Sequence, residues 1–211
     1  IFKKLRQLTR ERDQVVADRT VAKNQLHAEL AEAEPGKSSV DRIKKKISFF
    51  DKQEKEIMTE LKVVMSVDED LKRMVALICT IPGVGLLTAI IVLAETNGFE
   101  LIRNKRQLVS YAGLDVREKQ SGTSVRGKPR ISKKGNRFLR KAMHFPALSA
   151  ISHDEKYKAI FARLVSKHGI KMKAAVCVQR KMLEMIYTVF KKQEAYDRMY
   201  YMRQAEVEAR V

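Results

Sequence analysis

Residues 71–96 read LKRMVALICTIPGVGLLTAIIVLAET. Apolar residues recur at helical spacing from Leu71 to Ile78, Thr80-Ile81-Pro82-Gly83-Val84-Gly85 interrupts them, and Leu86 to Glu95 resumes as an apolar helix. Helix, Pro-Gly-Val-Gly, helix is the pattern of a helix-hairpin-helix, whose glycines permit a tight turn and whose second helix opens with backbone N–H groups free for an anion. Gly83, Val84 and Gly85 are therefore candidate phosphate contacts, although an ordinary turn between helices uses the same residues. The stretch predicts an all-α fold, with a compact helical domain over residues 71–194.

Upstream, apolar positions recur every three or four residues at Leu5, Leu8, Val15, Ala22 and Leu26, and again at Ile43, Ile47, Phe50, Ile57, Leu61 and Val64. Glu34-Pro35-Gly36-Lys37-Ser38-Ser39 separates the two runs with a helix stopper, a turn glycine and capping serines. Residues 1–70 are thus expected to form a long antiparallel coiled-coil hairpin with arms of roughly 40–45 Å. Arg12, Arg19 and Glu54 fall on seam positions. That makes the pairing imperfect and leaves a second copy as one possible partner for the hairpin, a homo-oligomer through residues 1–70. Packing on its own domain is the other reading.

Net charge is +18 over 211 residues, and its placement is uneven. Residues 1–70 hold 15 Lys+Arg against 14 Asp+Glu, whereas residues 71–211 hold 28 against 11. Between Arg103 and Lys141 stand 13 basic residues with only Asp115 and Glu118 to oppose them. Such a cluster repels itself unless a polyanion neutralises it, so nucleic acid is the expected partner. A solvated basic face or an acidic protein is the competing explanation.

Leu114 to Ile131 carries neither helical nor clear strand periodicity, and Gly122, Gly127 and Pro129 break any repeat. It reads as a loop or loose hairpin within a basic segment, residues 113–135. Ser121 lies in it among cations that can hold a phosphodiester and stabilise developing charge, which suits a nucleophile. Ser124 and Ser132 are rivals, and Ser132 could simply cap the helix that follows. No histidine or carboxylate stands at a spacing that marks it as the base; Glu118 is the nearest acid. Arg117, Arg126, Lys128, Arg130, Lys133, Lys134, Arg137 and Arg140 are candidate phosphate clamps, and Asn136 could bind backbone or a base edge, or form an Asx turn.

Helices are expected from Arg137 to Ile151, with Phe138, Leu139, Met143, Phe145, Ala147 and Leu148 available to bury, from Asp154 to Lys167, and from Lys171 to Lys191. Residues 195–211 are expected to form a helical tail in which Tyr196, Tyr200 and Tyr201 could stack on nucleotides. Packing against a neighbouring helix is the favoured reading of that strip. Metal sites are not expected. Asp68-Glu69-Asp70 suits the positive end of the next helix better than a cation, and the four histidines are scattered. Cys79 and Cys177 read as buried thiols of a reducing cytoplasm. No apolar run is long enough for a membrane span. The chain starts at Ile1, already in a helical pattern, and reads as part of a longer protein.

The order IPGVG, KRQLVSYAGL, SG, SKKGNRFLRKA, KMKAAVCVQRKML over residues 71–192 resembles the C-terminal transposase domain of insertion-sequence transposases related to Piv-type DNA invertases, the bridge-RNA-guided IS one-ten group. The resemblance implies DNA recombination in a bacterial or archaeal, nucleoid-associated setting. The serine of the SG motif, here Ser121, attacks DNA and forms a phosphoserine link, and Gly122 lets backbone come close. It further implies DNA and guide RNA as partners. It also implies a divalent metal, Mg in kind, held by an N-terminal RuvC-like domain that nothing in this chain matches, so that this part alone is catalytically incomplete and holds no cofactor. Two alternatives stay open: a non-catalytic helix-hairpin-helix binder and a coiled-coil RNA-binding scaffold.

Overall fold

The computed structural model describes residues 1–100, 102–121 and 125–200, and leaves the side chains of 118–121, 125, 126, 128 and 129 outside that description. Two compact units divide between Glu69 and Asp70. The fold is mostly helical, as the periodicities require, and its sheet among the described residues has only two strands.

In the first unit α1 (Phe2–Leu30) and α2 (Lys37–Ser66) pack along Leu5, Leu8, Val15, Ala22, Val40, Ile57 and Leu61. Lengths of 29 and 30 residues put each arm near 45 Å. The turn differs from expectation in one respect. Gly36 occupies the cap position without a side-chain bond, and Ser38 and Ser39 lie inside α2 rather than capping it.

The charged seam residues pair with one another. Arg12 contacts Glu54. Arg19 Nη1 lies 2.6 Å from Asp51 Oδ1 and 2.5 Å from Glu54 Oε2. The Asp51 hydrogen bond, first, raises the Arg19 pKa above its ordinary value against the opposing pull of desolvation. Because this network is partly solvated, it sets register more than it adds energy. Glu54→Ala is expected to destabilise the hairpin by about 1–2 kcal/mol, since it takes the carboxylate from Arg12 and leaves Arg19 with Asp51 alone. Replacing Arg12, Arg19 and Glu54 together by Leu should recover or exceed the original stability. Urea unfolding of both variants checks the pair of outcomes.

The second unit comprises α3 (Glu69–Cys79), α4 (Leu86–Glu95), α5 (Lys105–Tyr111), β1 (Val116–Ser121), β2 (Val125–Ile131), α6 (Arg137–Ala142), α7 (His144–His153), α8 (Glu155–His168) and α9 (Lys171–Lys192). Helix α4 is apolar nearly all round because it is the buried one: Ala89, Ile90, Val92, Leu93, Ala94 and even Glu95 are inaccessible. Helix α9 supplies the other large face through Val178, Met182, Leu183, Ile186 and Tyr187. Phe99 joins it, with ring centroids 5.4 Å from Tyr187 and 4.7 Å from Phe190. Tyr187 Oη, buried beside it, donates to the Ile102 carbonyl at 3.1 Å.

One continuous helix over Arg137–Ile151 is not what forms. The chain breaks at Met143 into α6 and α7. Pro146 has no N–H to offer the carbonyl four residues earlier, so it fits the first turn of a new helix and not the interior of a long one. The break turns Phe145 and Leu148 outward, 77% and 39% exposed, where burial was expected. Asp154 caps α8, its carboxylate accepting from Tyr157 N at 3.1 Å, which agrees with the helix expected from Asp154. Cys79 and Cys177 are free and half-buried, and burial raises the Cys79 pKa. No helix among the described residues is long and apolar enough to cross a membrane.

Candidate nucleic-acid interface

The basic segment is a paired hairpin. β1 and β2 run antiparallel, with Val116 opposite Ile131, Arg117 opposite Arg130, Lys119 opposite Gly127, Gln120 opposite Arg126, and Ser121 opposite Val125. A register shift between Arg117 and Lys119 marks a bulge. Of its described side chains, Val116 is 56% exposed, and Arg117 and Arg130 are open to solvent. What holds such a ribbon is its stem.

The segments on either side clasp one another there. Ser132 N donates to the Asp115 carbonyl at 2.9 Å, and Lys133 N to that of Gly113 at 3.1 Å. Asn136 N donates to the Tyr111 carbonyl at 2.6 Å. Ser132 Oγ donates to Asp115 Oδ1 at 2.6 Å. Arg140 Nη1 reaches the Ala112 carbonyl at 2.8 Å. The backbones meet so closely that a Cβ on Gly135 would stand 2.1 Å from the Tyr111 oxygen, and one on Gly113 2.7 Å from the Gly135 nitrogen.

Beneath the clasp lies Glu95, 2% exposed at the end of α4. Asn136 Nδ2 donates to Glu95 Oε2 at 2.6 Å, and Tyr111 Oη to the Glu95 carbonyl at 2.9 Å. Asn136 Oδ1 accepts from Phe138 N and Leu139 N at 2.9 and 3.0 Å, capping α6. Both ends of this amide are thus occupied by the fold, as the Asx-turn reading has it. Neither Glu95 nor Asp115 was among the residues read as functional. A carboxylate closing the apolar run LLTAIIVLAE was the available signal for the first; nothing local marks the second.

The other expected contacts divide by what they touch. Ser121 ends β1, the strand tip; its side chain and those of Arg126 and Lys128 lie outside the described set, and Gly122 and Ser124 are outside it altogether. Lys133, Lys134 and Arg137 are exposed, Arg137 resting 4.8 Å from the Phe138 ring centroid. Arg140 is half-buried and spends one nitrogen on the clasp. In the turn before α4, Val84 is core at 5% exposure. Gly83, at φ +83°, faces α7 so closely that a Cβ would come within 2.4 Å of the Pro146 carbonyl. Gly85 alone of the three presents open backbone, with nothing within 4 Å of a Cβ built there. Among the described residues no three His, Cys, Asp or Glu side chains come together for a metal ion.

Residues 75–162 match the family described as Transposase IS116/IS110/IS902 family. The chain is similar to the pilin gene-inverting protein of Moraxella bovis, 28% identical over 130 residues that cover 61% of this chain and 40% of that protein. It is similar as well to the transposase for insertion sequence element IS1111A of Coxiella burnetii, 32% identical over 143 residues, 65% of this chain and 37% of that protein. A third likeness is to the insertion element IS110 uncharacterized 43.6 kDa protein of Streptomyces coelicolor, 26% identical over 118 residues, 56% and 29%. The chain therefore spans two fifths or less of the length of these curated relatives.

Proposed function

We propose that this chain is the DNA-binding and serine-bearing part of a transposase or site-specific DNA recombinase. The family match and the names of the relatives support a recombinase role in general. The observation that favours polyanion binding is the register of the hairpin, in which Arg117 faces Arg130 across an exposed ribbon. Like charges directly opposite destabilise a strand pair unless an anion sits between or over them. A phosphodiester is the anion that fits this role.

The Ser121 hydroxyl attacks phosphorus and loses its proton. The serine oxygen–phosphorus bond forms as the bond to one deoxyribose oxygen breaks, and that oxygen leaves as a hydroxyl. The phosphoserine link conserves the bond energy, so rejoining needs no external energy source. Exposed cations of the hairpin and of α6 hold the flanking phosphates. Gly85, opening α4, is the backbone contact of the proposed helix-hairpin-helix. Asp115 and Glu95, the buried or half-buried carboxylates nearest the stem, are engaged by Ser132 and Asn136, and these residues do not fit a metal site. Guide RNA, a metal-bearing RuvC-like domain and a homo-oligomer joined through the 1–70 hairpin complete the reading.

Labelled DNA incubated with the protein and a RuvC-like domain in Mg2+, then denatured, should show a covalent adduct that is absent from Ser121→Ala. An adduct that persists in that variant, mapping to Ser124 or Ser132, removes the assignment. A non-catalytic binder would show no adduct with either protein.

A further inference from the structure

Between α5 and the stem of the hairpin lies a cavity of about 640 Å³, lined by Gln107, Ser110, Tyr111, Asp115, Ser132 and Lys134. That size falls among small-ligand pockets, roughly 300–1,000 Å³. Ser110 and Tyr111 follow Gln107 by three and four positions on α5, so the three share one face of the helix. Asp115 and Ser132 come from the two sides of the stem and are joined by the 2.6 Å bond from Ser132 Oγ to Asp115 Oδ1. The clasp that holds the hairpin therefore also builds a cleft beside it.

The lining suits a flat ring with a polar edge. Tyr111 is 41% exposed although its Oη donates to the Glu95 carbonyl at 2.9 Å and its own carbonyl accepts from Asn136 N, so what it shows to solvent is ring, fixed in place. An aromatic face already ordered is a stacking platform for a base. Hydrogen-bonding groups surround it. Ser132 takes Asp115 Oδ1, and the Arg103 N–H takes Gln107 Oε1 at 2.8 Å. Among the described residues nothing in the protein bonds Asp115 Oδ2, Gln107 Nε2 or Ser110 Oγ. One cation, Lys134, and one carboxylate, Asp115, line the cavity, so a phosphate gains little there. A carboxylate oxygen instead accepts from an exocyclic amine, which cytosine, adenine and guanine carry; thymine and uracil present a carbonyl where cytosine has its amine.

We infer that this cleft takes an unpaired nucleobase, stacked on Tyr111 and read at its edge by Asp115 and Gln107, while the basic hairpin holds the neighbouring phosphates. The inference rests on the proposal that the hairpin binds nucleic acid and is independent of Ser121 as nucleophile, because its readout is non-covalent. A base that is already unpaired enters without the cost of leaving a duplex stack.

The test titrates the full chain by fluorescence anisotropy with a duplex of about 20 base pairs, fully paired or carrying one unpaired central nucleotide, C or T in DNA and C or U in RNA. The unpaired C should bind about tenfold more tightly than the unpaired T or U. Asp115→Asn keeps an oxygen for Ser132 but turns an N–H donor to the cavity, so the ratio should fall to about one or reverse. Tyr111→Leu should weaken both unpaired probes about fivefold or more and the fully paired duplex less than twofold. A preference that Asp115→Asn abolishes, in either nucleic acid, supports the cleft, and the chemistry with the larger preference identifies its source. Equal affinity for the two bases in both chemistries, a preference that survives Asp115→Asn, or equal losses on paired and unpaired probes would overturn it. A parent that binds the paired duplex with a steep salt dependence but shows no base preference sinks this site alone; one that binds no probe removes the nucleic-acid reading beneath it as well. Melting temperatures within about 2 °C of the parent exclude misfolding as the cause. If Tyr111→Leu fails that control through loss of its bond to Glu95, Asp115→Asn decides the question.

Discussion

Gly135→Ala is expected to lower the melting temperature of the second unit by about 10 °C and to weaken duplex DNA binding at least tenfold. The added Cβ would lie 2.1 Å from the Tyr111 carbonyl oxygen and 2.5 Å from Gly113 N. Both are main-chain atoms, so no flexible tip can swing aside and the two stem segments must part. Parting them forfeits the bonds from Asn136 N to Tyr111 and from Lys133 N to Gly113, worth about 1 kcal/mol each. Overpacking adds about 1–3 kcal/mol. A loss of about 3–5 kcal/mol is large against total stabilities of about 5–15 kcal/mol, and it falls on the element that carries the proposed DNA contacts. Gly85→Ala is the control, because its Cβ meets nothing within 4 Å. It should move the melt by a few degrees at most while still placing a methyl group before the proposed phosphate position. A Gly135→Ala protein that melts and binds like its parent would show that the clasp does not hold the hairpin.

Glu95 and Asn136 explain why this arrangement was only partly legible in the sequence. The two helices of the first unit announce themselves through Leu5, Leu8 and Val15 against Ile57 and Leu61, because burial along one face leaves a periodic trace. The polar interruptions in that seam read as imperfections, whereas Arg12, Arg19, Asp51 and Glu54 answer one another across two helices. The hairpin leaves almost no trace. VREKQS and VRGKPRI lack apolar alternation, and their pairing depends on a stem assembled from distant residues. Asn136 meets Glu95 41 positions away, and Ser132 meets Asp115 at 17. No local propensity encodes such contacts. Phe145 faces outward for a different reason: a helical period continued through Pro146 predicts the wrong face once the proline starts a new helix.

The hairpin's charge arrangement leads to effects of opposite sign on stability and on binding. Arg117 and Arg130 are register partners on an exposed ribbon, and their repulsion costs the free protein about 0.2–1 kcal/mol. Replacing both by Gln should therefore leave the melting temperature unchanged or slightly raised. Binding should move the other way. Each duplex phosphate neutralised contributes about 0.9 to the salt slope, which at 0.15 M salt amounts to about fivefold in affinity per contact. Loss of two contacts predicts about 30-fold weaker duplex binding and a slope smaller by about 1.8, uniformly over DNA sequences, because phosphate contacts position the protein without reading bases. Anisotropy titrations at several salt concentrations, paired with thermal melts, measure both signs on the same preparations. Weakened binding with an unchanged slope would assign the arginines to something other than phosphate. A fall in melting temperature would mean that they already have anionic partners within the protein, and the ribbon would then have no unmet charge to offer DNA. Retained stability with a smaller slope is the combination that only a polyanion-binding ribbon produces.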